Sequence, residues 1–371
     1  MIKSTTVKFC LLACLSMLFP FDEVLAQQIT TPRAPSPAAS VSQTIGISEI
    51  SINYARPAVR GREIWGTPLA HYGYINLGFG SATAAPWRAG ANENTVIIFS
   101  DDAKVEGKDI PAGTYGFFIG VHEDGTADII FSKNSSSWGS YFYSQDEDQL
   151  RVKVKTEEIP FTERLTFDFV DITANSATVV LDWEKKRFPF KVEFDVHDIV
   201  LANARNELRS TTGFGWQGYT SAANYCLQNN INHDEALVWI DKAIANNKNF
   251  NDTFVKAQLV EQMGKESSSL YDEAAELANN TQLNFMGYTM MGKGKNEKAL
   301  GYFILNTKRN PDDPNVFDSL GEYYKNMGDN KKAIKALKKS LSMDPPANVK
   351  ANSIKLLKEM GVDTSAYEKS S

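Results

Sequence analysis

Cysteine is scarce in this chain: Cys10, Cys14 and Cys226 are the three among 371 residues. A chain cut behind Ala26 keeps Cys226 alone, so it holds no intramolecular disulfide even in an oxidising space, and its stability rests on core packing. Cys226 lies in a helical pattern and reads as a buried small apolar residue rather than a reactive thiol. Histidine is equally thin. His71, His122, His197 and His233 are scattered, and none stands at a metal-ligand spacing from Cys, Asp or Glu, so no metal and no cofactor is expected. A nucleophile elbow and a Gly-rich phosphate loop are both missing, which argues against serine-hydrolase and nucleotide chemistry. An excess of positive charge is missing too: the net charge is −6, and the Lys3, Lys8, Asp22 and Glu23 of the first 26 residues cancel. Nucleic acid is therefore not an expected partner. The one basic run, Lys331 to Lys339, carries Ile334 and Leu337 at helical spacing and reads as a solvated helix face.

What is present points to export and to two domains. Lys3 and Lys8 precede an apolar stretch from Phe9 to Phe21 that is too short for a membrane anchor, and Val24-Leu25-Ala26 suits signal-peptidase cleavage. The expected location is periplasmic or secreted. The alternative is a lipoprotein, because Leu11-Leu12-Ala13-Cys14 resembles a lipobox that would tether Cys14 to a membrane. Residues 27–40 are rich in Pro, Ala and Ser and read as a tether. The length of 371 residues exceeds what one core serves, and 42% hydrophobic residues support well-buried cores.

From Ile47 the chain alternates, with Ile50, Ile52 and Tyr54 on one face and Glu49, Ser51 and Asn53 on the other. Further strands are expected at Thr95–Ser100, Gly113–Val121, Ala127–Ser132, Gln149–Thr156, Leu165–Ile172, Ala177–Trp183 and Arg187–Val196, each bounded by turn residues. Short strands without intervening helices predict an all-β antiparallel sandwich or jelly-roll.

Four blocks occur in order: Asn53-Tyr54-Ala55-Arg56-Pro57, Gly61-Arg62-Glu63-Ile64-Trp65-Gly66, Trp87-Arg88-Ala89-Gly90-Ala91-Asn92-Glu93-Asn94-Thr95, and Val105-Glu106-Gly107-Lys108-Asp109-Ile110-Pro111-Ala112-Gly113-Thr114-Tyr115. With Trp138-Gly139 and Leu150-Arg151-Val152 they resemble domain-of-unknown-function family 2911 over most of residues 38–196. The resemblance implies an exported bacterial β-rich protein and no established activity. In this family a Pro-Tyr-Gly segment runs almost directly into the Trp-Arg block, whereas here Tyr74 to Pro86 intervene. That insertion is expected to reshape or cover the loop beside Trp87.

From Asp198 the spacing turns helical. Phe317-x-x-Leu320-Gly321-x-x-Tyr324, Ala333-x-x-x-Leu337 and Pro345 reproduce the tetratricopeptide-repeat pattern, and Ala299-x-x-x-Phe303 with Pro311 echoes it 34 residues earlier. Ala236-x-x-x-Ile240 marks an earlier unit, and 251–280 reads as a degenerate pair. Three to four helix pairs are expected, with a terminal helix. The chain thus divides into a signal peptide (1–26), tether (27–40), β-sandwich domain (41–197), connecting helix (198–212), tetratricopeptide-like repeats (213–346), and a capping helix and tail (347–371).

Two groups of candidate residues follow. Arg56, Arg62, Trp87, Arg88, Asn92 and Glu93 concentrate hydrogen-bonding and stacking chemistry on loops, with Trp87 as a stacking platform and Arg88 as a bidentate donor for a small molecule or glycan. The plainer alternative has Trp87 filling the sandwich edge, Arg88 paired with a carboxylate, and Gly90-Ala91-Asn92 as a tight turn. In the helical half, Tyr225, Gln228, Asn284, Tyr288, Asn315, Asp318 and Glu322 are placed by spacing on a protein-binding groove. The expectation is an exported non-enzymatic scaffold that meets a protein or peptide through its repeats, with the β-domain as a binding or structural module. The alternative is a carbohydrate-active or other hydrolase that uses Glu93 with a second carboxylate such as Glu63.

Overall fold

A computed structural model describes residues 36–368. The leader, Cys14 and the tether as far as residue 35 lie outside the described residues. The chain forms two compact units that divide between Ile199 and Val200.

The first unit contains ten strands: β1 (Ala38–Ile45), β2 (Ser48–Ala55), β3 (Thr95–Phe99), β4 (Ala103–Val105), β5 (Lys108–Ile110), β6 (Gly113–Val121), β7 (Thr126–Ser132), β8 (Asp148–Lys155), β9 (Glu157–Val170) and β10 (Ser176–Phe194). They build a six-stranded sheet, β1-β2-β3-β6-β7-β8, and a four-stranded sheet, β5-β4-β10-β9. The paired strands run antiparallel. One apolar core lies between the sheets. Ile50, Ile52, Ile97, Phe117 and Ile129 enter it from the first sheet, and Leu165, Phe167, Leu181 and Phe190 from the second. Phe117 stacks on Phe190 with ring centroids 5.6 Å apart and meets Phe167 edge to face at 5.6 Å. Burying each of these side chains contributes about 1.5–3 kcal/mol, which is how the unit stands without a disulfide.

Three strand expectations need correction. Residues 38–40 belong to β1 rather than to a tether, because backbone pairing with β2 from Ala38↔Ala55 onwards holds an edge that has little apolar signal of its own. Strand β9 begins at Glu157, eight residues before Leu165, since its polar first half is an exposed ribbon paired with β10 as far as Arg187↔Glu157. The two runs at 177–183 and 187–196 form one strand. Ala177, Val179, Leu181 and Trp183 face the core at odd positions, and Phe188, Phe190, Val192 and Phe194 at even ones. The pairing shifts around Glu184, whose φ is +58°, and that β-bulge absorbs the change of parity. Helix α1 (Val196–Glu207) follows, and Val196 closes over Gly46: at φ +62°, a Cβ on Gly46 would lie 2.5 Å from Val196 Cγ1.

The second unit consists of helices α2 (Gln217–Asn229), α3 (His233–Asn246), α4 (Phe250–Gln262), α5 (Ser268–Leu277), α6 (Asn280–Gly292), α7 (Asn296–Arg309), α8 (Pro314–Asn326), α9 (Asn330–Leu341), α10 (Ala347–Glu359) and the short α11 (Ser365–Glu368). Helices α2 to α9 form four consecutive pairs, and 251–280 is a regular pair rather than a degenerate one. Their starts are capped by side chains: Asn249 accepts from the Asp252 N–H, Asn279 forms a capping box with Gln282, and Asp313 accepts from the Asn315 N–H ahead of Pro314 at the first turn. The repeat pattern has a steric cause. A Cβ on Gly321 would meet Leu337 Cγ at 2.6 Å, and one on Gly287 would meet Phe303 at 2.7 Å, at equivalent places one repeat apart. Glycine on the first helix of the pair lets the large residue of the second approach the backbone.

Candidate functional site

The loop from Pro86 to Thr95 is built into the sandwich. Trp87 exchanges both backbone hydrogen bonds with Ile119 at 2.9 Å, which turns its ring inward. The ring is 2% exposed, stacks on Trp183 at 5.8 Å with 7° between planes, and meets Trp65 edge to face at 5.5 Å. The exposed-platform reading is thereby corrected, because the hydrophobic pull of three indoles outweighs the polarity of the neighbouring sequence. The indole N–H groups of Trp87 and Trp183 are buried with no acceptor among the described residues.

Arg88 is likewise occupied. Its guanidinium lies 4.9 Å from the Tyr141 ring centroid and donates to the Asn92 carbonyl at 3.1 Å, while Gly139 lies so close that a Cβ there would overlap the guanidinium. Asn92 adopts φ +66° and donates its amide to the Ser36 carbonyl at 3.3 Å. Thr95 Oγ1 donates to the Ala89 carbonyl at 3.0 Å, so Gly90-Ala91-Asn92 is a closed turn. Arg56 ties β2 to β9 by donating to the Leu165 carbonyl at 3.0 Å and to Thr166 Oγ1 at 2.6 Å. Arg62 wraps its own turn through the Val59 and Ala58 carbonyls. Arg62 also lines a 150 Å³ pocket with Arg60, Gly90, Ala91 and Trp183, whereas Glu93 lines a separate 440 Å³ groove with Ser40, Asn53 and Asn94. Arg56, Trp87, Arg88 and Asn92 line neither, nor does the exposed Glu63, so the six candidates do not converge on one cavity.

A second polar constellation covers the outer face of the six-stranded sheet. Inward residues of β6 and β7 alternate with Phe118, Gly120, Asp128 and Ile130, which face away from the main core. The insertion from Tyr74 packs there: Leu77, Ala82 and Ala85 join Phe118, Ile130 and Tyr143 in a small core of their own. The insertion therefore covers the outer sheet, not the Trp87 ring. Tyr74 O–H donates to Asp128 Oδ2 at 2.7 Å, His122 Nε2 lies 3.1 Å from the same oxygen, and Arg151 donates to Tyr74 Oη at 2.9 Å. Arg151 also bonds Asp148 at 2.8 Å and Tyr143 Oη at 2.7 Å. Burial pushes the Tyr74 and Tyr143 phenols well up, and it raises Asp148 against the pull of Arg151 and Tyr143. Burial would also raise Asp128, but hydrogen bonds from Tyr74 and His122 hold it below its ordinary value. The arrangement fixes the insertion to the sheet. It was hidden in the sequence by distance, although β6 carries apolar residues at both parities, the signature of a strand covered on both faces.

In the helical unit the groove candidates bond to one another along the repeat. Tyr288 O–H on α6 donates to Glu322 on α8 at 2.9 Å, 34 residues on, and Lys325 on α8 pairs with Glu359 on α10, again 34 residues on. Asp318 accepts from Asn352 at 2.8 Å and from Ser353 at 2.5 Å. Buried between α8 and α10, Asp318 is a link between repeats and not a groove-lining group, which corrects its expected role; burial pushes its carboxyl up. Asn284, Asn315 and Tyr225 are half-buried, and Gln228 is exposed. Phe285, next to Asn284 and three residues before Tyr288, is 53% exposed and rests edge to face on Phe254 at 5.6 Å. Spacing alone did not single it out.

Among the described residues there is no cluster of three or more metal-ligating side chains, and no helix is long and apolar enough to cross a membrane. No curated protein matches the chain. Several solved structures are similar. The crystal structure of YrrB, described as a TPR protein with an unusual peptide-binding site, is 18% identical, covers 43% of this chain and 83% of its own, and has a TM-score of 0.29. MamA 41-end from Desulfovibrio magneticus RS-1 is 16% identical over 41% of this chain and 89% of its own, at a TM-score of 0.29. PilF of Pseudomonas aeruginosa is 20% identical over 41% and 72%, at 0.28. Residues 36–192, the β-domain, match the model of the family described as "Protein of unknown function (DUF2911)".

Proposed function

We propose that the chain is an exported, non-enzymatic scaffold whose helical unit holds a protein partner while the β-domain serves as a rigid module. The observation that carries this reading is the face of α6 and α8. Bonds at one-repeat spacing, Tyr288 to Glu322 among them, fix its polar side chains in place and leave Phe285 presented to solvent beside them. A rigid polar frame around an exposed aromatic lowers the ordering cost of binding, and aromatics are the commonest anchors of protein interfaces. Export is supported by the basic, apolar and small-residue succession from Lys3 to Ala26.

Capture from an envelope extract tests the partner. The full mature chain is expected to retain a specific protein that the Phe285→Asp variant, matched in circular dichroism, retains at least about tenfold less, because a charge is placed at an apolar anchor. Identical protein sets on both would sink the reading. The mass of the exported product tests the leader: a chain that begins at Gln27 agrees with it, and a lipid-modified chain that begins at Cys14 replaces it with the lipoprotein alternative.

A further inference from the structure

The insertion and the 133–144 loop together present aromatic side chains outward that neither core uses. Phe79, near the tip of the insertion, is 68% exposed, Trp138 is 50% and Phe142 is 44%. Phe79 meets Tyr141 edge to face at 5.7 Å and Phe142 at 6.4 Å. Soluble surfaces rarely gather large apolar side chains in this way without a ligand to cover them.

The patch is preorganised from beneath. Gly80 has φ +80°, and a Cβ on it would lie 2.2 Å from the Tyr141 carbonyl oxygen, so only glycine lets the two loops touch. The Ala82 N–H then donates to that oxygen at 3.0 Å. The Arg88 guanidinium lies over the Tyr141 ring, 4.9 Å from its centroid, which gives this arginine a positioning role toward the patch.

We infer that Phe79, Tyr141 and Phe142, with the exposed Trp138 three residues before Tyr141 on the same loop, form a stacking platform for an uncharged glycan chain. Aromatic rings cover the apolar faces of sugar rings, and the exposed hydroxyls of Ser81, Ser136 and Ser144 beside them match sugar hydroxyls. Charge argues against an anionic membrane or single-stranded nucleic acid, both of which need a basic surround. Residues 74–86 carry no charged side chain, the 133–148 segment supplies Lys133 against Asp146, Glu147 and Asp148, and the nearby Arg88 and Arg151 are already engaged by Tyr141 and by Asp148. The site lies in the β-domain and does not depend on the partner reading of the helical unit.

Affinity electrophoresis of the full mature chain through gels that contain neutral polysaccharides (a β-glucan, an α-mannan or a galactomannan) tests the platform. At least one is expected to retard the protein. Phe79→Ala combined with Trp138→Ala, and separately Phe142→Ala, should weaken that retardation tenfold or more, while Phe161→Ala, exposed elsewhere in the domain, leaves it unchanged. These truncations touch solvent-facing rings, and an unaltered thermal transition verifies the fold. Absence of retardation by all three polysaccharides, equal retardation of all variants, or aromatic-dependent binding to phosphatidylglycerol vesicles or to a second copy of the chain would overturn the inference.

Discussion

Trp87 illustrates how a residue's neighbours in sequence and in space can disagree. It stands among Arg, Asn and Glu in the chain, yet packs between Trp183 and Trp65 in the fold. Trp87→Ala is expected to destabilise the protein by about 3–5 kcal/mol, read as a lower urea midpoint; a loss under about 1 kcal/mol would mean that the ring is not a core element. Glu261 carries a different signature. Burial would raise its carboxyl, but Lys293, Lys295 and Tyr271 donate to it and hold it at about 2. Because the folded value lies below the ordinary 4.5, the stabilisation is present above that value and drains away as pH falls from there towards 2. Glu261→Gln should therefore lower the melting temperature at pH 7 and flatten its fall across that acid window, and an unchanged acid profile would contradict this. Cys226 is buried, and burial pushes its thiol up to about 11. In the chain cut behind Ala26, Ellman's reagent at pH 8 should leave it unmodified in the native state and titrate one thiol after unfolding; rapid native reaction would refute its burial.

At the scale of elements, the helix pairs turn on where glycine sits. Gly321→Ala would gain about 1 kcal/mol of helix propensity, but the contact with Leu337 makes the substitution an overpacking that costs about 1–3 kcal/mol, so net destabilisation is expected. Gly301, on α7 with open space around it, should instead stabilise on replacement by Ala, by up to about 1 kcal/mol. Chemical denaturation of the two variants checks the opposite signs. The same contrast explains what was legible beforehand. Periodicity gave β2, the second half of β9 and the 34-residue repeat, since in each the buried face is apolar and the other polar. It missed β1, whose edge is held by backbone pairing more than by apolar side chains, and the β4–β5 hairpin, whose three-residue strands are too short to show a period although Val105 and Ile110 are buried in the core, and it split β10 because the bulge at Glu184 reverses parity inside a polar run. Asp128 and Arg151 come together only through the pairing of β7 with β8, and their partner Tyr74 stands 54 residues before Asp128, so no local pattern could join them.

Across the whole molecule, surfaces are left to meet other molecules, and the residues that first looked functional hold the fold together. Arg56, Arg88 and Asn92 hold loops in place, and the exposed aromatic side chains include Phe285 in one unit and Phe79, Phe142 and Trp138 in the other. The partner-binding face of the helical unit is the central claim. A photo-crosslinking amino acid placed at position 285 of the full chain, in cells that export it, tests that claim most directly. The account predicts a discrete crosslinked product of higher mass, which is lost when the same probe is placed at the exposed Val238 on α3. No product at 285, or the same products from both positions, would contradict it.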